Sequence, residues 1–194
     1  MKKTKQPYKT GEKALTKKEA EAVIMAATSY EDKLLVLMGF TYGPRRDDLV
    51  RTKIQDIDIA AGTLSYLEKK KGDRIKTIPL SDRLKHELDL YIKAHTVPGQ
   101  VYLFPPRQKT HNCGHMSSRT AYNIFNDLCK KVGIPTPIPI HAMRSTCIKI
   151  KQAEGWTIEQ TAALIGDTVA TVQEHYATPS MGDLQKIMKE RPGV

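Results

Sequence analysis

The chain has 194 residues, a formal net charge of +10 and an ordinary globular composition, 40% hydrophobic and 27% charged. This length suits one hydrophobic core with short appendages. No apolar run approaches the roughly 20 residues that a membrane span needs, and the N-terminus lacks the apolar stretch of a signal peptide. We therefore expect a cytoplasmic protein with no membrane partner. Three cysteines at irregular spacing argue against a disulfide framework.

The positive charge is concentrated at the N-terminus. Residues 1–18 contain seven lysines and one glutamate, which leaves +4 on the rest of the chain. A basic balance favours an anionic partner such as nucleic acid, but a lysine-rich end is as often a solvated tail. Charge alone therefore makes DNA a candidate and does not identify it. Residues 1–13 have the composition of a basic flexible arm or the remnant of a linker.

Hydrophobic spacing and capping residues predict a mostly helical chain. Thr16 followed by Glu19 has the spacing of a capping box, and Ser81 is placed to cap a later helix. Residues 96–117 are rich in Pro and Gly and are predicted to form a loop. The predicted helices cover about residues 16–29, 30–43, 46–50, 82–95, 119–132, 141–154, 158–165, 169–176 and 182–189.

A small sheet interrupts the helices in the first half of the chain. Between residues 54 and 79 the apolar period becomes two-fold, with turns at Gly62 and Gly72. We predict three antiparallel strands, the last of which ends at Pro79. The predicted fold class is therefore α+β and mainly α-helical, with a small three-stranded antiparallel sheet.

Four short segments place a cation or a proton donor near a turn or a helix start. They are residues 43–49, 71–80, 140–144 and 164–167, the last of which lies nine residues before Tyr176. Breaking a phosphodiester requires cations for the transition-state oxygens, an in-line nucleophile and a proton for the leaving oxygen. Arginine pairs bind such oxygens well. Two arginines, a lysine, a histidine and a tyrosine supply these functions without a metal.

These segments resemble the tyrosine recombinase (phage-type integrase) family. Gly-Pro-Arg-Arg-Asp-Asp-Leu at 43–49 is similar to the family's Gly-Leu-Arg-x-x-Glu-Leu box. Residues 71–80 follow its Lys-Gly-x-Lys-x-Arg-x-Val-Pro-Leu hairpin without a gap, and 141–144 is its His-x-x-Arg box. The resemblance covers about residues 15–180. The family's Leu-Gly-His box is followed nine residues later by the tyrosine, and here Asp167 precedes Tyr176 by nine residues. One box alone is weak, but four boxes in family order are a specific signal.

The resemblance implies site-specific DNA recombination, in which Tyr176 attacks a backbone phosphate and forms a 3′-phosphotyrosyl link. Arg45 and Arg144 would stabilise the phosphorane-like state. His141 would help to accept the tyrosine proton, and Lys71 would protonate the leaving oxygen. The reaction exchanges one phosphoester for another, so neither ATP nor an obligatory Mg²⁺ is implied and no cofactor is expected.

The resemblance also implies a domain organisation. Residues 14–180 would form the catalytic domain, and 181–194 a C-terminal tail helix. The family usually carries an N-terminal core-binding domain that completes a clamp around the duplex, but only the arm at 1–13 precedes these residues here. We therefore expect either a fragment of a longer protein or a minimal recombinase, with weak and strongly salt-dependent DNA binding.

The implied partner is double-stranded DNA, bound by a homo-oligomer that assembles on it as a synaptic tetramer. The protein would then be associated with the nucleoid in the cytoplasm. Lys70 is the fallback for the catalytic lysine if the hairpin turn is shifted by one residue. Basic side chains of the arm, the hairpin and two helix starts are expected to contact DNA: Lys2, Lys3, Lys5, Lys70, Arg46, Arg74 and Arg119.

Asp167 departs from the family pattern. The family usually has His or Trp at this position, where the side chain lies at the phosphate. A carboxylate there would repel the phosphate unless it were protonated or turned away. We expect Asp167 instead to cap the following helix through the amides of Val169 or Ala170.

Two other functions fit parts of the sequence. Residues 156–166, followed by another short helix, have the outline of a helix-turn-helix, so a non-catalytic DNA-binding regulator is one alternative. A type IB topoisomerase would use nearly the same catalytic residues but relax supercoils without synapsis. His111, Cys113 and His115 do not have the spacing of a structural zinc site, and we expect no metal there.

Overall fold

The computed structural model describes residues 13–68, 72, 74–107, 114–175, 185, 188 and 189. Within them the chain forms eight helices and one three-stranded antiparallel sheet. The predicted fold class is therefore confirmed. The elements are α1 (Lys17–Met25), α2 (Tyr30–Tyr42), α3 (Arg46–Val50), β1 (Ile57–Asp58), β2 (Thr63–Glu68), β3 (Arg74–Pro79), α4 (Asp82–His95), α5 (Ser118–Lys131), α6 (Ala142–Ala153), α7 (Ile158–Ile165) and α8 (Val169–His175).

Side-chain caps begin the helices where the sequence predicts them. The capping box of α1 is formed, because Thr16 Oγ1 accepts from the Glu19 amide while the Glu19 carboxylate accepts from the Thr16 amide. Ser81 Oγ likewise accepts from Leu84 N at the start of α4. Helix α1 ends at Met25, earlier than predicted, because Ser29 caps α2 instead of continuing α1.

The sheet has the order β1-β2-β3, with Leu64 opposite Ile78 on the two longer strands. Residues 54–56, predicted to begin the first strand, form a 3₁₀ turn that leads into the short β1. Leu64 and Ile78 are buried, whereas Leu67 and Ile75 are exposed. One face of the sheet therefore packs on the helical core and the other faces solvent.

Helix α2 lies at the centre of the core. Seven consecutive residues, 34–40, are buried, as expected of a helix that is covered on all sides. Its neighbours include α1, α4, α5 and α6. Gly39 permits the close approach of α6, because a Cβ there would lie 2.5 Å from Met143 Sδ. This packing places the start of α6, with His141 just before the helix and Arg144 in its first turn, beside the C-terminal end of α2.

Asn126 on α5 holds the irregular segment that leads into α6. Its Nδ2 donates to Ile138 O at 2.9 Å and to Tyr122 O at 3.0 Å, and its Oδ1 accepts from Ile138 N at 2.8 Å. The segment contains three prolines and no regular secondary structure. Its backbone groups therefore need such a side-chain partner when they are shielded from water.

The predicted arm at 1–13 lies outside the described residues apart from Lys13, and so does most of the predicted tail helix at 182–189. The boundaries proposed for these two segments remain predictions. In the part of the chain that the structure does describe, no helix combines the length and the apolar character needed to cross a membrane.

Replacing Asn126 by Ala should lower the free energy of unfolding by about 1–3 kcal/mol, because the Ile138 backbone groups lose their partner. Urea unfolding followed by circular dichroism measures this difference. Asn123→Ala is the matched control, since Asn123 is exposed on the same helix, and its effect should stay within about 0.5 kcal/mol. Equal effects of the two substitutions would contradict the structural role of Asn126.

Candidate active site

Arg144 lies in the first turn of α6 and is only 2% exposed despite its charge. Its Nη1 donates to Gly43 O at 2.6 Å and to Ile165 O at 2.8 Å, and its Nη2 donates to Asp167 Oδ2 at 2.6 Å. A buried guanidinium requires such partners because an unpaired buried charge is very unfavourable. This one side chain therefore joins α6 to the C-terminal ends of α2 and α7.

Two helices end at this guanidinium with a left-handed glycine. Gly43 (φ 54°) ends α2, and Gly166 (φ 71°) ends α7. Carbonyl groups at a helix C-terminus carry partial negative charge, so both ends stabilise the arginine. A Cβ at Gly43 would lie 3.2 Å from Arg144 Cα, so a side chain here would also disturb the approach of α6.

Arg45 reaches the same place from the start of α3. Its Nη2 lies 3.5 Å from Gly166 O and 3.6 Å from Asp167 Oδ1. The side chains of Arg45 and Asp167 are 21% and 15% exposed, so they form the outer edge of a site whose inner wall is Arg144. The two arginines thus meet at one carboxylate, each facing a different oxygen.

The expectation that Asp167 caps α8 is wrong. Thr168 caps this helix, since its Oγ1 accepts from Thr171 N at 3.1 Å and its carbonyl accepts from Val172 N. Asp167 Oδ1 does accept from Thr168 N at 3.3 Å. Its main partner, however, is Arg144, because a charge-assisted bond to a buried guanidinium is stronger than a bond to a backbone amide.

The arginines also determine the charge of Asp167. Burial acts to raise the pKa of this carboxyl, but the hydrogen bond and charge of Arg144, together with the charge of Arg45, outweigh burial. The pKa of Asp167 is therefore held below its ordinary value of 3.8. The carboxylate is ionised at neutral pH and offsets part of the positive charge of the pair.

His141 is the residue immediately before α6, and together with Arg45 it lines a pocket of about 270 Å³. The predicted histidine and the first predicted arginine are thus brought together. The remaining lining residues are Arg46, Asp47, Asp48, Arg51 and Ile140. Asp48 is a buried carboxylate that the sequence did not single out. Three arginines against two carboxylates leave the pocket cationic before His141 is counted.

The other predicted contacts are placed only in part. Arg46 is exposed and pairs with Asp47 at 3.2 Å, and Arg119 is exposed with its guanidinium carbon 5.1 Å from the centre of the Tyr122 ring. Arg74 begins β3. The predicted residues outside the described part of the chain are Lys2, Lys3, Lys5, Lys70, Lys71 and Tyr176.

Helix α8 is the last helix before the predicted tyrosine in the sequence, and it ends at His175. Helix α8 is anchored to the core by Val172, which is fully buried. The turn that precedes α8, at Gly166 and Asp167, contacts both arginines.

Lys76 is a residue of the site that the sequence did not single out. Its Nζ donates to Leu164 O at 2.5 Å and lies 5.9 Å from the centre of the Tyr66 ring. It therefore ties the sheet to the last turn of α7, next to the carbonyls that bind the arginines. Strand alternation could have revealed it, because Lys76 shares one face of β3 with the buried Ile78.

Metal ligands are not grouped in the described residues, which contain no cluster of three or more His, Cys, Asp or Glu side chains suited to an ion. His115 packs edge-on against the Tyr102 ring, and its Nδ1 lies 2.8 Å from Met116 O. His111 and Cys113 lie outside the described residues.

Comparison with known proteins identifies the family. The sequence profile of the phage integrase family matches residues 13–182, so the chain belongs to that family. Tyrosine recombinase XerA of Pyrococcus horikoshii is 25% identical over 179 residues, which cover 92% of this chain and 61% of that protein. Tyrosine recombinase XerC of Staphylococcus carnosus is 23% identical over 164 residues, covering 80% of this chain and 52% of that protein.

Solved structures agree on the fold. The crystal structure of XerA recombinase matches with a TM-score of 0.78 at 22% identity and covers 93% of this chain and 64% of its own. The Tn1549 transposon integrase, in complex with transposon right end DNA, matches with a TM-score of 0.70 at 16% identity and covers 93% and 66%. The chain thus spans less than two thirds of the length of the XerA proteins that it matches.

The stabilising effect of Asp167 should depend on pH. Because its native pKa is lowered, ionised Asp167 stabilises the fold above its unfolded-state pKa, near 3.8, and this contribution is lost as the pH falls through the native pKa. We expect Asp167→Asn to be less stable than the wild type at neutral pH. The difference should shrink below about pH 4, as measured by urea unfolding at a series of pH values.

Asp89→Asn is the control for this pH series. Asp89 forms an ion pair with Lys93 at 2.7 Å on the surface of α4, and such pairs contribute about 0.3–0.5 kcal/mol. A difference between Asp167→Asn and the wild type that stayed constant from neutral to strongly acidic pH would contradict the ion pair with Arg144.

Proposed function

We propose that this chain cleaves and rejoins DNA strands as the catalytic part of a tyrosine recombinase, with Tyr176 as the nucleophile. The observation that carries the proposal is the convergence of Arg45 and Arg144 on two oxygens of one anionic group. Guanidinium pairs in this arrangement bind the oxygens of a phosphate as readily as those of a carboxylate. Membership of the phage integrase family and the names of the relatives support the same activity.

The proposed step is an in-line exchange of phosphoesters. The Tyr176 oxygen forms a bond to phosphorus while the bond from phosphorus to the 5′ oxygen breaks. The tyrosine proton passes to a base, for which His141 is the candidate, and Lys71 gives a proton to the departing 5′ oxygen. Attack by a 5′-hydroxyl on the 3′-phosphotyrosyl link reverses the step and rejoins a strand. The number of phosphoester bonds is conserved, so the proposal includes no energy source and no cofactor.

The arginine pair is suited to stabilise the charge that develops in this step. Arg144 is held by two backbone carbonyls, so it needs little reorganisation when a phosphate arrives. Preorganised donors of this kind contribute about 10²–10³ in rate each. Arg45 lines the same pocket as His141, which supports the proposal that the candidate base acts beside this arginine.

Double-stranded DNA is the proposed substrate. The exposed Arg46 and Arg119, with Arg74 and the lysines predicted for the arm and hairpin, are the proposed contacts to the DNA backbone. The Tn1549 integrase was solved in complex with transposon right end DNA, and the XerH site-specific recombinase was solved bound to its palindromic difH substrate. For this chain we likewise propose assembly as a homo-oligomer on DNA, a synaptic tetramer, in the cytoplasm at the nucleoid.

The helix-turn-helix alternative is less well supported. Helices α7 and α8 do have its outline, but the turn between them serves the arginine site, because Ile165 and Gly166 offer their carbonyls to Arg144 and Arg45. A unit that only reads DNA bases has no need of these contacts. A type IB topoisomerase would use the same chemistry as a recombinase. An assay on a supercoiled substrate is needed to distinguish the two activities.

Tyr176→Phe should abolish a covalent protein–DNA adduct that the wild type forms. A pool of duplexes, each with a nick beside a randomised region, traps the adduct because the short fragment released by cleavage diffuses away. The readout is a denaturant-resistant band, followed by identification of the modified residue by mass spectrometry. Tyr30→Phe is the matched control and should keep wild-type adduct yield, since Tyr30 begins α2, at the end opposite Gly43, and stacks on His95.

Two results would count against this assignment. One is the absence of an adduct from the whole wild-type pool, and the other is an adduct on a residue other than Tyr176. A supercoiled plasmid that carries the selected sequence tests the remaining alternative, because efficient relaxation without any joined recombinant product would indicate a topoisomerase.

Lys71→Ala should slow cleavage of ordinary DNA by about 10²–10⁴-fold, because the departing 5′ oxygen loses its proton donor. Substrates with sulfur in place of that oxygen should restore most of the rate, since a thiolate is stable near neutral pH without protonation (thiol pKa about 8.5). Single-turnover cleavage on both substrates measures the two effects. Lys70→Ala is the control, and a sulfur rescue seen with Lys70→Ala instead of Lys71→Ala would contradict the role given to Lys71.

A further inference from the structure

Asp167 occupies the position in which the proposed reaction requires a phosphate. Its Oδ2 accepts from Arg144 at 2.6 Å and its Oδ1 lies 3.6 Å from Arg45, so both oxygens face the two cations. A phosphodiester presents two non-bridging oxygens of the same charge and similar spacing. The carboxylate is ionised, because the arginines hold its pKa below the ordinary value.

We propose that Asp167 is an internal competitor of the DNA phosphate, which closes the arginine site until a phosphodiester displaces it. The identification of the displacing anion as a DNA phosphate rests on the proposed function, whereas competition for the anion site can be tested without DNA. The residue would set how strongly the site binds a phosphate and would oppose cleavage of weakly bound DNA.

Displacement is required because Arg144 cannot turn to meet a phosphate elsewhere. Its Nη1 is held by Gly43 and Ile165, and the side chain is 2% exposed. The groups at the outer edge are Asp167, 15% exposed, and Arg45, 21% exposed. A phosphate that approaches from solvent therefore reaches Arg45 and Asp167 before it reaches Arg144, and the Asp167 carboxylate repels it.

Asp167 can leave the arginines without breaking the neighbouring helix. It lies between Gly166, which ends α7 in a left-handed conformation, and Thr168, which caps α8 through its own hydroxyl. The start of α8 therefore keeps its capping bond when the Asp167 side chain rotates away. The cost of rotation is the loss of the ion pairs, which a bound phosphate replaces.

The expected size of the effect follows from the population of the open site. The apparent affinity for an anion equals the affinity of the open site multiplied by the fraction of molecules in which the site is open. If the carboxylate closes the site in about nine molecules of ten, its removal strengthens anion binding about tenfold. Asp167→Asn removes the charge with little change of shape, so it should bind anions at least about tenfold more tightly than the wild type.

Inorganic sulfate is the probe, read by thermal unfolding of the full chain at constant ionic strength set with chloride. Sulfate should raise the unfolding temperature of Asp167→Asn at concentrations at least about tenfold lower than for the wild type. Asp89→Asn is the matched control, because it also removes one carboxylate charge, but from an ion pair with Lys93 on the surface of α4. Its sulfate response should follow the wild type.

Two further variants secure the interpretation. Asp167→Ser also removes the charge and is used if Asp167→Asn does not fold. Arg45→Gln in the Asp167→Asn background should weaken the sulfate response, because one of the two cations is then missing. The proposal is overturned if neither neutral variant at 167 binds sulfate more tightly than the wild type, or if Asp89→Asn shows the same gain.

The adduct assay connects the anion site to DNA. At subsaturating DNA, Asp167→Asn should form the Tyr176 adduct faster than the wild type, whereas at saturating DNA the rates should converge. A slower adduct rate at saturating DNA would overturn the competitor role. If no protein forms an adduct but the sulfate result holds, the recombinase function fails while the competing carboxylate stands.

Discussion

The buried guanidinium of Arg144 is the interaction on which the site depends. Its charge is stable in the core only because the C-terminal ends of α2 and α7 and the carboxylate of Asp167 surround it. The same contacts bring together three parts of the chain that are far apart in sequence. The close approach of α6 to Gly39 and the left-handed end of α2 at Gly43 both serve this placement. Core packing and candidate chemistry therefore share one set of contacts.

This arrangement gives Asp167 two opposing effects. It stabilises the free protein by pairing with a buried cation, and it holds the position that a phosphate needs. Active sites often keep groups whose charge is satisfied only when substrate binds, at a cost in stability of the free protein. Here an internal carboxylate satisfies that charge instead, so the free protein gains stability while phosphate binding weakens. The balance between the two depends on the energy of rotating the Asp167 side chain away from its ion pairs.

Much of the fold was predictable because its signals are local. A few neighbouring residues are enough to recognise the caps at Thr16 and Ser81 and the change from helical to two-fold apolar spacing. Both predictions are confirmed. Predictions were wrong where a local signal competed with another contact. Helix α1 stops early because Ser29 caps the next helix, and Asp167 was assigned to an amide because its arginine lies 23 residues away. The order of the sequence boxes indicated the arginine pair, but no local pattern showed that a carboxylate lies between its members.

The most direct measurement is a crystal structure of the Tyr176→Phe chain bound to a duplex selected in the adduct assay. We expect the non-bridging oxygens of one phosphate to lie about 3 Å from the guanidinium nitrogens of Arg45 and Arg144. The Asp167 carboxylate should then have left both arginines, while Arg144 keeps its bonds to Gly43 and Ile165. A phosphate bound away from the arginine pair, or bound to it with Asp167 still hydrogen-bonded to Arg144, would contradict this account.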